Sequence, residues 1–279
     1  MKDALAKSTY LSEYSPSEFL IDSTELHFTL SHEATTVAAK LTIKRNPQVS
    51  SRGLESALVL DGSANIELHS IKLNGKELSS DCYLRELDTL SIWGVTDSSV
   101  IETVVVIEPE KNTSLNGLYK SRKMYCTQCE AEGFREITFH LDRPDILSEF
   151  TTTIIADKHD YPVLLSNGNQ VLSKDLENGK HMVAWHDPFK KPSYLFALVA
   201  GNLTAVEDEY LTCGGRNVAL KIFVEEKDIN KCSHAMVSLK KAMRWDEETY
   251  GREYDLDIFM IVAVDDFNMG AMENKGLNI

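Results

Sequence analysis

Two short strings carry most of the chemistry this chain can do. Near the middle it reads Gln128-Cys129-Glu130-Ala131-Glu132-Gly133-Phe134-Arg135, and near the end Met269-Gly270-Ala271-Met272-Glu273-Asn274. A Gly-Ala-Met-Glu-Asn run sets a carboxylate beside a small-residue backbone stretch that another backbone can approach closely. Glu130 and Glu132, two apart on a strand, would face the same way, and alone they read as a solvated face. Paired with the terminal run, Glu130 changes meaning. An ammonium has three donors and needs acceptors of opposite charge. One carboxylate cannot satisfy it in a partly dry site, whereas two carboxylates from distant segments plus an amide oxygen can. The pair points to a site that holds a peptide by its amino end.

Other chemistry fits poorly. Cys126-Thr127-Gln128-Cys129 is a C-x-x-C string, but a zinc site needs a second ligand pair at suitable spacing, and Cys213 and Cys232 do not form one. His32-Glu33-Ala34-Thr35-Thr36 has Thr36 where H-E-x-x-H needs its second histidine. The other histidines make no recognised ligand pair, so no metal ligand is assigned in this chain. No G-x-S-x-G elbow and no phosphate-binding glycine loop is present.

At 279 residues, with 43% hydrophobic and 26% charged residues, the chain is long enough for about two domains with a real core. Its net charge of -14 argues against nonspecific nucleic-acid binding, which needs Lys and Arg to displace counterions. Acidic surface mainly keeps a protein soluble and slightly favours cationic ligands such as a peptide amine. Five cysteines do not suggest a secreted disulfide framework. Residues 1–14 lack the apolar core of a signal peptide, and no run reaches the roughly 18 apolar residues of a membrane span. The expectation is a cytoplasmic protein with no membrane partner.

The elements that must position these residues are mostly strands. Leu26, Phe28 and Leu30 alternate with polar residues, as do Val37, Ala39, Leu41 and Ile43, and Ile137, Phe139 and Leu141. Asn74-Gly75 between apolar flanks predicts a hairpin. Val104 to Ile107 reads as a buried strand, Val163 to Leu165 flanks a loop, and Ser166 to Asn169 reads as a turn. Tyr194 to Ala200 is continuously apolar. After about residue 202 the pattern changes. Val218 to Val224 reads as a strand. Lys227 to Tyr250 predicts the first long helix, with Met236, Leu239 and Met243 on one face and Gly251 as its cap. Ile258 to Val264 reads as a strand covered on both faces. The terminal run follows it, a usual place for a binding site.

Taken together, the strings Gln128 to Arg135 and Asn268 to Asn278 resemble those of the zinc-dependent aminopeptidase N family, the gluzincin exopeptidases, especially its bacterial branch. Asp142-Arg143-Pro144-Asp145, Tyr161 to Gly168 and Tyr254 to Asp257 look like family segments too, so the similarity covers most of the chain from about residue 10. The resemblance implies a mainly β fold. An all-β, saddle-like N-terminal domain over residues 1–202 would precede the incomplete start of a thermolysin-like α+β catalytic domain over 203–279.

The resemblance also implies roles. Glu130 and Glu273 would bind the substrate's free α-amine with Gln128 beside them. Gly270 and Ala271 would offer backbone groups to the peptide, and Met269 would line the pocket for its first side chain. Met272 belongs to the same substrate-binding run, and Asn274 would hold its shape. The family's H-E-x-x-H, its further Glu and its oxyanion tyrosine cannot be placed before Ile279. The expectation is an N-terminal fragment of an exopeptidase whose zinc belongs to the intact enzyme, inactive by itself and prone to self-association through its partial second domain. A noncatalytic scaffold is the alternative, disfavoured by the presence of both glutamates. A relative acting on a lipid epoxide would favour Gly-Gly-Met-Glu-Asn and Gln in place of Glu130.

Overall fold

The computed structural model describes residues 10–49, 56–267 and 269–279. Residues 1–9, most of the stretch read for a signal peptide, and Asn268 of the terminal string lie outside the described residues. In chain order the first strands are β1 (Phe19–Thr29), β2 (Thr35–Arg45), β3 (Leu58–Asp61), β4 (Glu67–Leu73), β5 (Lys76–Glu77), β6 (Tyr83–Arg85), β7 (Thr89–Ile92), β8 (Ser98–Ile107), β9 (Gly117–Ser121) and β10 (Met124–Gln128). There follow β11 (Ser148–Asp157), β12 (Val163–Ser166), β13 (Asn169–Asp175), β14 (Lys180–Lys191), β15 (Leu198–Gly201), β16 (Thr204–Leu211) and β17 (Asn217–Val224). The helix α1 (Ser233–Tyr250) comes next, then β18 (Ile258–Val262) and β19 (Leu277–Asn278).

The fold is mainly β, a β-rich N-terminal part followed by a mixed segment of strands and one long helix. The largest sheet has eight strands in the order β13-β14-β11-β1-β2-β8-β4-β5, antiparallel except where β1 lies parallel to β11. Its alternation is the one read from the residues: Leu26, Phe28, Val37, Ala39, Leu41 and Ile43 all turn inward. The hairpin joining β4 and β5 turns on Asn74 and Gly75, both with positive φ, the geometry a two-residue connection favours. A three-stranded sheet, β3-β7-β6, and a four-stranded sheet, β12-β15-β10-β9, complete this part. Phe134 binds the layers together. Its ring stands edge-on to Phe196 just before β15 (5.2 Å between centroids) and to Phe150 of β11 (6.0 Å).

A second four-stranded sheet, β16-β17-β18-β19, draws on residues 204–278. Its β17–β18 and β18–β19 pairs are parallel, and α1 supplies the crossover between β17 and β18. Met236, Leu239 and Met243 of α1 pack on Val218, Leu220, Ile222 and Val224. The other face of β18, with Met260 and Val262, joins the main core.

Several expectations need correction. The helix begins at Ser233, and residues Glu226–Lys231 form a 3-10 helix in which no side chain is buried, so no apolar face draws them into the α-helix. Gly251 does cap the helix in the left-handed conformation (φ 62°). Ile137, Phe139 and Leu141 are buried but form no strand, because Thr138 and His140 between them are buried as well and no single wet face exists. Val104 and Val106 are only half-buried, so β8 is a one-faced strand. The strand expected to reach Val264 stops at Val262, and Phe259 and Ile261 are only half-buried on the helix side. The run from Tyr194 divides into a 3-10 turn at Ser193–Leu195 and the buried strand β15.

Candidate substrate-amine site

Glu130 stands on a turn, not on a strand. β10 ends at Gln128, and the Gly133 N–H donates back to the Cys129 carbonyl at 2.8 Å. A Cβ at position 133 would lie 2.4 Å from the Gln128 carbonyl oxygen, so a glycine is what lets the chain fold back here. This overturns the expectation that Glu130 and Glu132 share a strand face. Glu132 turns to Arg135 (3.4 Å), while Glu130 is exposed. The turn is fixed from behind. Arg135 donates through Nε to Asp142 Oδ2 at 3.0 Å, through its backbone N–H to the same oxygen at 3.1 Å, and through Nη2 to the Asp142 carbonyl at 3.0 Å. Ser193 holds the other Asp142 oxygen at 2.5 Å. Behind the turn Cys126 and Cys129 are buried free thiols. Burial pushes Cys126 up to about 12 and Cys129 well above its ordinary value, so both stay protonated and unreactive.

The Gln128 side chain, 1% exposed, donates from Nε2 to the Glu130 carbonyl at 3.3 Å. Its Oε1 is buried with no partner. A buried acceptor left unpaired costs about 1–3 kcal/mol, so this oxygen is suited to receive a donor.

The terminal string bends at Met269-Gly270 and alternates in burial from Ala271 to Asn274. Met272 and Asn274 are buried, while Met269, Gly270, Ala271 and Glu273 are exposed. Met272 and Ile279 exchange both backbone hydrogen bonds, at 2.7 and 3.0 Å, which lays the string against the residues leading out of β19. Nothing lies within 4 Å of a Cβ built on Gly270, so another chain can approach the backbone there. Both amide atoms of Asn274 are buried without a partner. Met269, Gly270 and Ala271 border an apolar groove of about 710 Å³ whose walls include Leu239, Phe259, Ile261 and Phe267.

Two tethers fasten the stretch around this string to the sheet that carries Gln128. At the β9–β10 hairpin, Tyr119 donates to the Asp266 carbonyl (3.1 Å), Ser121 to the Asp266 carboxylate (2.8 Å) and Arg122 to Asp265 (2.5 Å). At the far edge, just beyond β12, the Asn167 side chain donates to the Lys275 carbonyl at 2.8 Å. The tethers lie at opposite edges of the sheet and toward opposite ends of it. The described string 269–274 therefore starts from the hairpin end and is fastened, through Lys275, at the end where β10 delivers Gln128 and Glu130.

The residues of each string are thus gathered locally, and the two strings are fixed to one sheet. Sequence reading missed the groups that do the fixing. Arg135 and Asp142 stood only within family-like strings, and Asn167 read as a turn residue within another such string. The polar pair Ser166-Asn167 directly after the apolar run Val163 to Leu165 was the available signal.

The metal-ligating side chains gathered in the described residues are Asp157, His159 and Asp160 in one group and Cys213, Glu247 and Glu253 in another. Neither offers two imidazoles, and the first lies in a surface turn whose Asp157 carboxylate already accepts the 159 and 160 N–H groups. These donors do not fit a catalytic zinc.

Comparison with known proteins shows the family. Residues 17–195 match the Peptidase M1 N-terminal domain, and residues 234–279 match the Peptidase family M1 domain. The chain belongs to the M1 metallopeptidases. It is 48% identical over its whole length to an aminopeptidase N of Caulobacter vibrioides, covering 32% of that protein. It is 46% identical over 98% of its length to aminopeptidase N of Escherichia coli, covering 30% of it. The chain therefore spans about a third of the curated relatives it matches. Aminopeptidase A of Legionella pneumophila, solved with aspartic acid, superposes with a TM-score of 0.92 at 38% identity, over 97% of this chain and 31% of that one. An M1 zinc metallopeptidase of Deinococcus radiodurans shares the fold, with a TM-score of 0.77 at 15% identity.

Proposed function

We propose that the intact protein removes amino acids one at a time from the free N-terminus of peptides, and that this chain supplies the anchor for the substrate amine. Glu130 and Glu273 pair with the ammonium, and Gln128 offers its buried, unpaired Oε1 as a third acceptor. The exposed backbone at Gly270 and Ala271 receives the peptide chain, Met269 belongs to the wall of the first side chain's pocket, and buried Met272 anchors the same substrate-binding run from behind. The Asn274 backbone carbonyl helps to hold the string's shape by accepting the Leu277 N–H at 3.1 Å. The zinc that activates water lies in the part of the enzyme this chain does not include, so the chain alone anchors and does not cleave. The observation that carries the reading is the double tether, which binds the string around Glu273 to the sheet that presents Glu130. We also place the domain division near residue 202, because every strand of the second four-stranded sheet follows it. Hydrogen exchange showing a single cooperative unit would argue against that division.

In the full-length, zinc-loaded enzyme, Glu130→Gln and Glu273→Gln are the test. Truncating one side of a desolvated charge pair costs about 2–5 kcal/mol. Each substitution should therefore lower kcat/KM on aminoacyl p-nitroanilides by roughly a hundredfold or more. N-acetylated peptides should be poor substrates of the unaltered enzyme, since the cation is gone. Losses under threefold in both variants would refute the assignment.

A further inference from the structure

The Asn167 side chain is 2% exposed, and all of its hydrogen-bonding groups are occupied. Nδ2 donates to the Leu195 carbonyl at 3.0 Å and to the Lys275 carbonyl at 2.8 Å. Oδ1 accepts the Ala197 N–H at 2.8 Å. One amide therefore joins three pieces of backbone: the turn after β12, the entry to β15, and the loop after Glu273. The entry to β15 is also where β10 is held, since the Leu198 N–H donates to Thr127 Oγ1 at 2.9 Å. From Asn167, one step leads through Ala197 and Leu198 to Thr127, whose neighbour is Gln128. The other leads through Lys275 to Asn274 and Glu273.

The loop has further support around this bond. The Lys275 ammonium contacts both Asp255 carboxylate oxygens, at 2.7 and 2.8 Å, and lies 4.7 Å from the centre of the Phe189 ring. Gly276 is left-handed (φ +76°), and a Cβ on it would meet Leu256 Cδ1 at 2.8 Å and the Gly168 nitrogen at 3.4 Å. The Asn167-Gly168 corner and the 275–276 corner thus pack directly on one another.

We infer that Asn167 is a positioning residue for substrate-amine binding, setting the Glu273 string against the strand end that presents Gln128 and Glu130. This rests on the amine-site reading given above. Only an amide does the task at this place. It supplies two donors to two carbonyls that cannot donate and one acceptor to an N–H that cannot accept. A carboxylate of the same shape would turn an oxygen toward the Leu195 and Lys275 carbonyls and push the loop away, while still accepting from Ala197.

The test uses the full-length, zinc-loaded enzyme and two numbers: the inhibition constant of L-leucinamide, a free-amine ligand, and the split of KM against kcat on leucine p-nitroanilide. Asn167→Asp should raise the leucinamide inhibition constant and KM at least tenfold each. Asn167→Ser, which keeps one donor, should fall between it and the unaltered enzyme. A merely structural role would lower the active fraction, seen as reduced kcat with an unchanged inhibition constant, and that result overturns the inference. Glu130→Gln and Glu273→Gln are measured alongside. If they weaken leucinamide and Asn167→Asp does not, the positioning role fails and the amine site stands. If neither glutamate variant weakens it, the amine-site reading fails and takes this inference with it. Should Asn167→Asp not fold, Gly276→Ala moves the same loop from its other side. A tenfold weaker leucinamide there supports the role, and an unchanged constant overturns it.

Discussion

At the scale of single residues, the site depends on polar groups whose burial forces a choice of partner. His140 is the clearest case away from the site itself. It is fully buried, with Nδ1 3.1 Å from the Leu141 carbonyl and Nε2 3.2 Å from Thr24 Oγ1. A carbonyl only accepts, so Nδ1 carries the proton and Nε2 receives the threonine hydroxyl. Burial holds the imidazole down to about 4, although the nearby Asp142 charge acts the other way. The unfolded histidine takes up a proton below about 6.5, while the folded one stays neutral until about 4. Between those values the unfolded chain binds more protons, so stability is full above the window and falls as pH drops through it. The loss should amount to about 3 kcal/mol for this group. Urea unfolding from pH 7.5 to 4 should show a stability gap between the unaltered chain and His140→Gln that shrinks by about that much. Parallel curves would mean that His140 titrates normally. Nothing in the residue pattern hints at this, since His140 falls inside an expected half-wet strand.

At the scale of elements, turns decide where the reactive groups face. The alternating runs of β1 and β2, the Asn74-Gly75 hairpin and the Gly251 cap were readable because each follows from local rules of period and left-handed backbone. The setting of Glu130 was not. Whether Glu130 sits on a strand or a turn depends on Gly133 meeting the Gln128 carbonyl and Asn116, a close approach visible only in three dimensions. The helix α1 starts later than its composition suggests for a related reason, because residues 226–231 bring only a half-buried Ile229 to the core and no apolar face. Two left-handed glycines separate conformational from steric cost. Nothing lies within 4 Å of a Cβ on Gly251, so Gly251→Ala should cost only the left-handed penalty of about 1–2 kcal/mol. Gly168 has φ +94°, and a Cβ there would lie 2.2 Å from the His186 carbonyl oxygen. Gly168→Ala adds roughly 1–3 kcal/mol of overpacking to the same penalty. Chemical denaturation should therefore rank Gly168→Ala well below Gly251→Ala in stability. Equal losses would show that the corner beside Asn167 is free to relax.

At the scale of the whole molecule, the fold class and the two strings could be read from the residues, but the side chains that fasten both strings to one sheet could not. Long-range fastening by Asn167, Tyr119 and Ser121 leaves no periodic mark on a sequence. The helix face of β18 and the residues around Met269 leave an apolar groove that the described residues do not fill. Exposed apolar area of this kind favours association. We predict that the 279-residue chain self-associates in sedimentation velocity and that Phe259→Ser weakens the association. A monomer at tens of micromolar would contradict this.

The most direct test of the joint role of Glu130 and Glu273 is a double-mutant cycle on kcat/KM in the full-length enzyme. Two carboxylates that share one ammonium are coupled, so the effects of removing each should not add. The Glu130→Gln, Glu273→Gln double variant should lose clearly less than the product of the two single losses, with a coupling of about 1 kcal/mol or more. Large single losses that multiply fully would mean that the two groups act on different parts of the substrate, and would contradict a shared amine site.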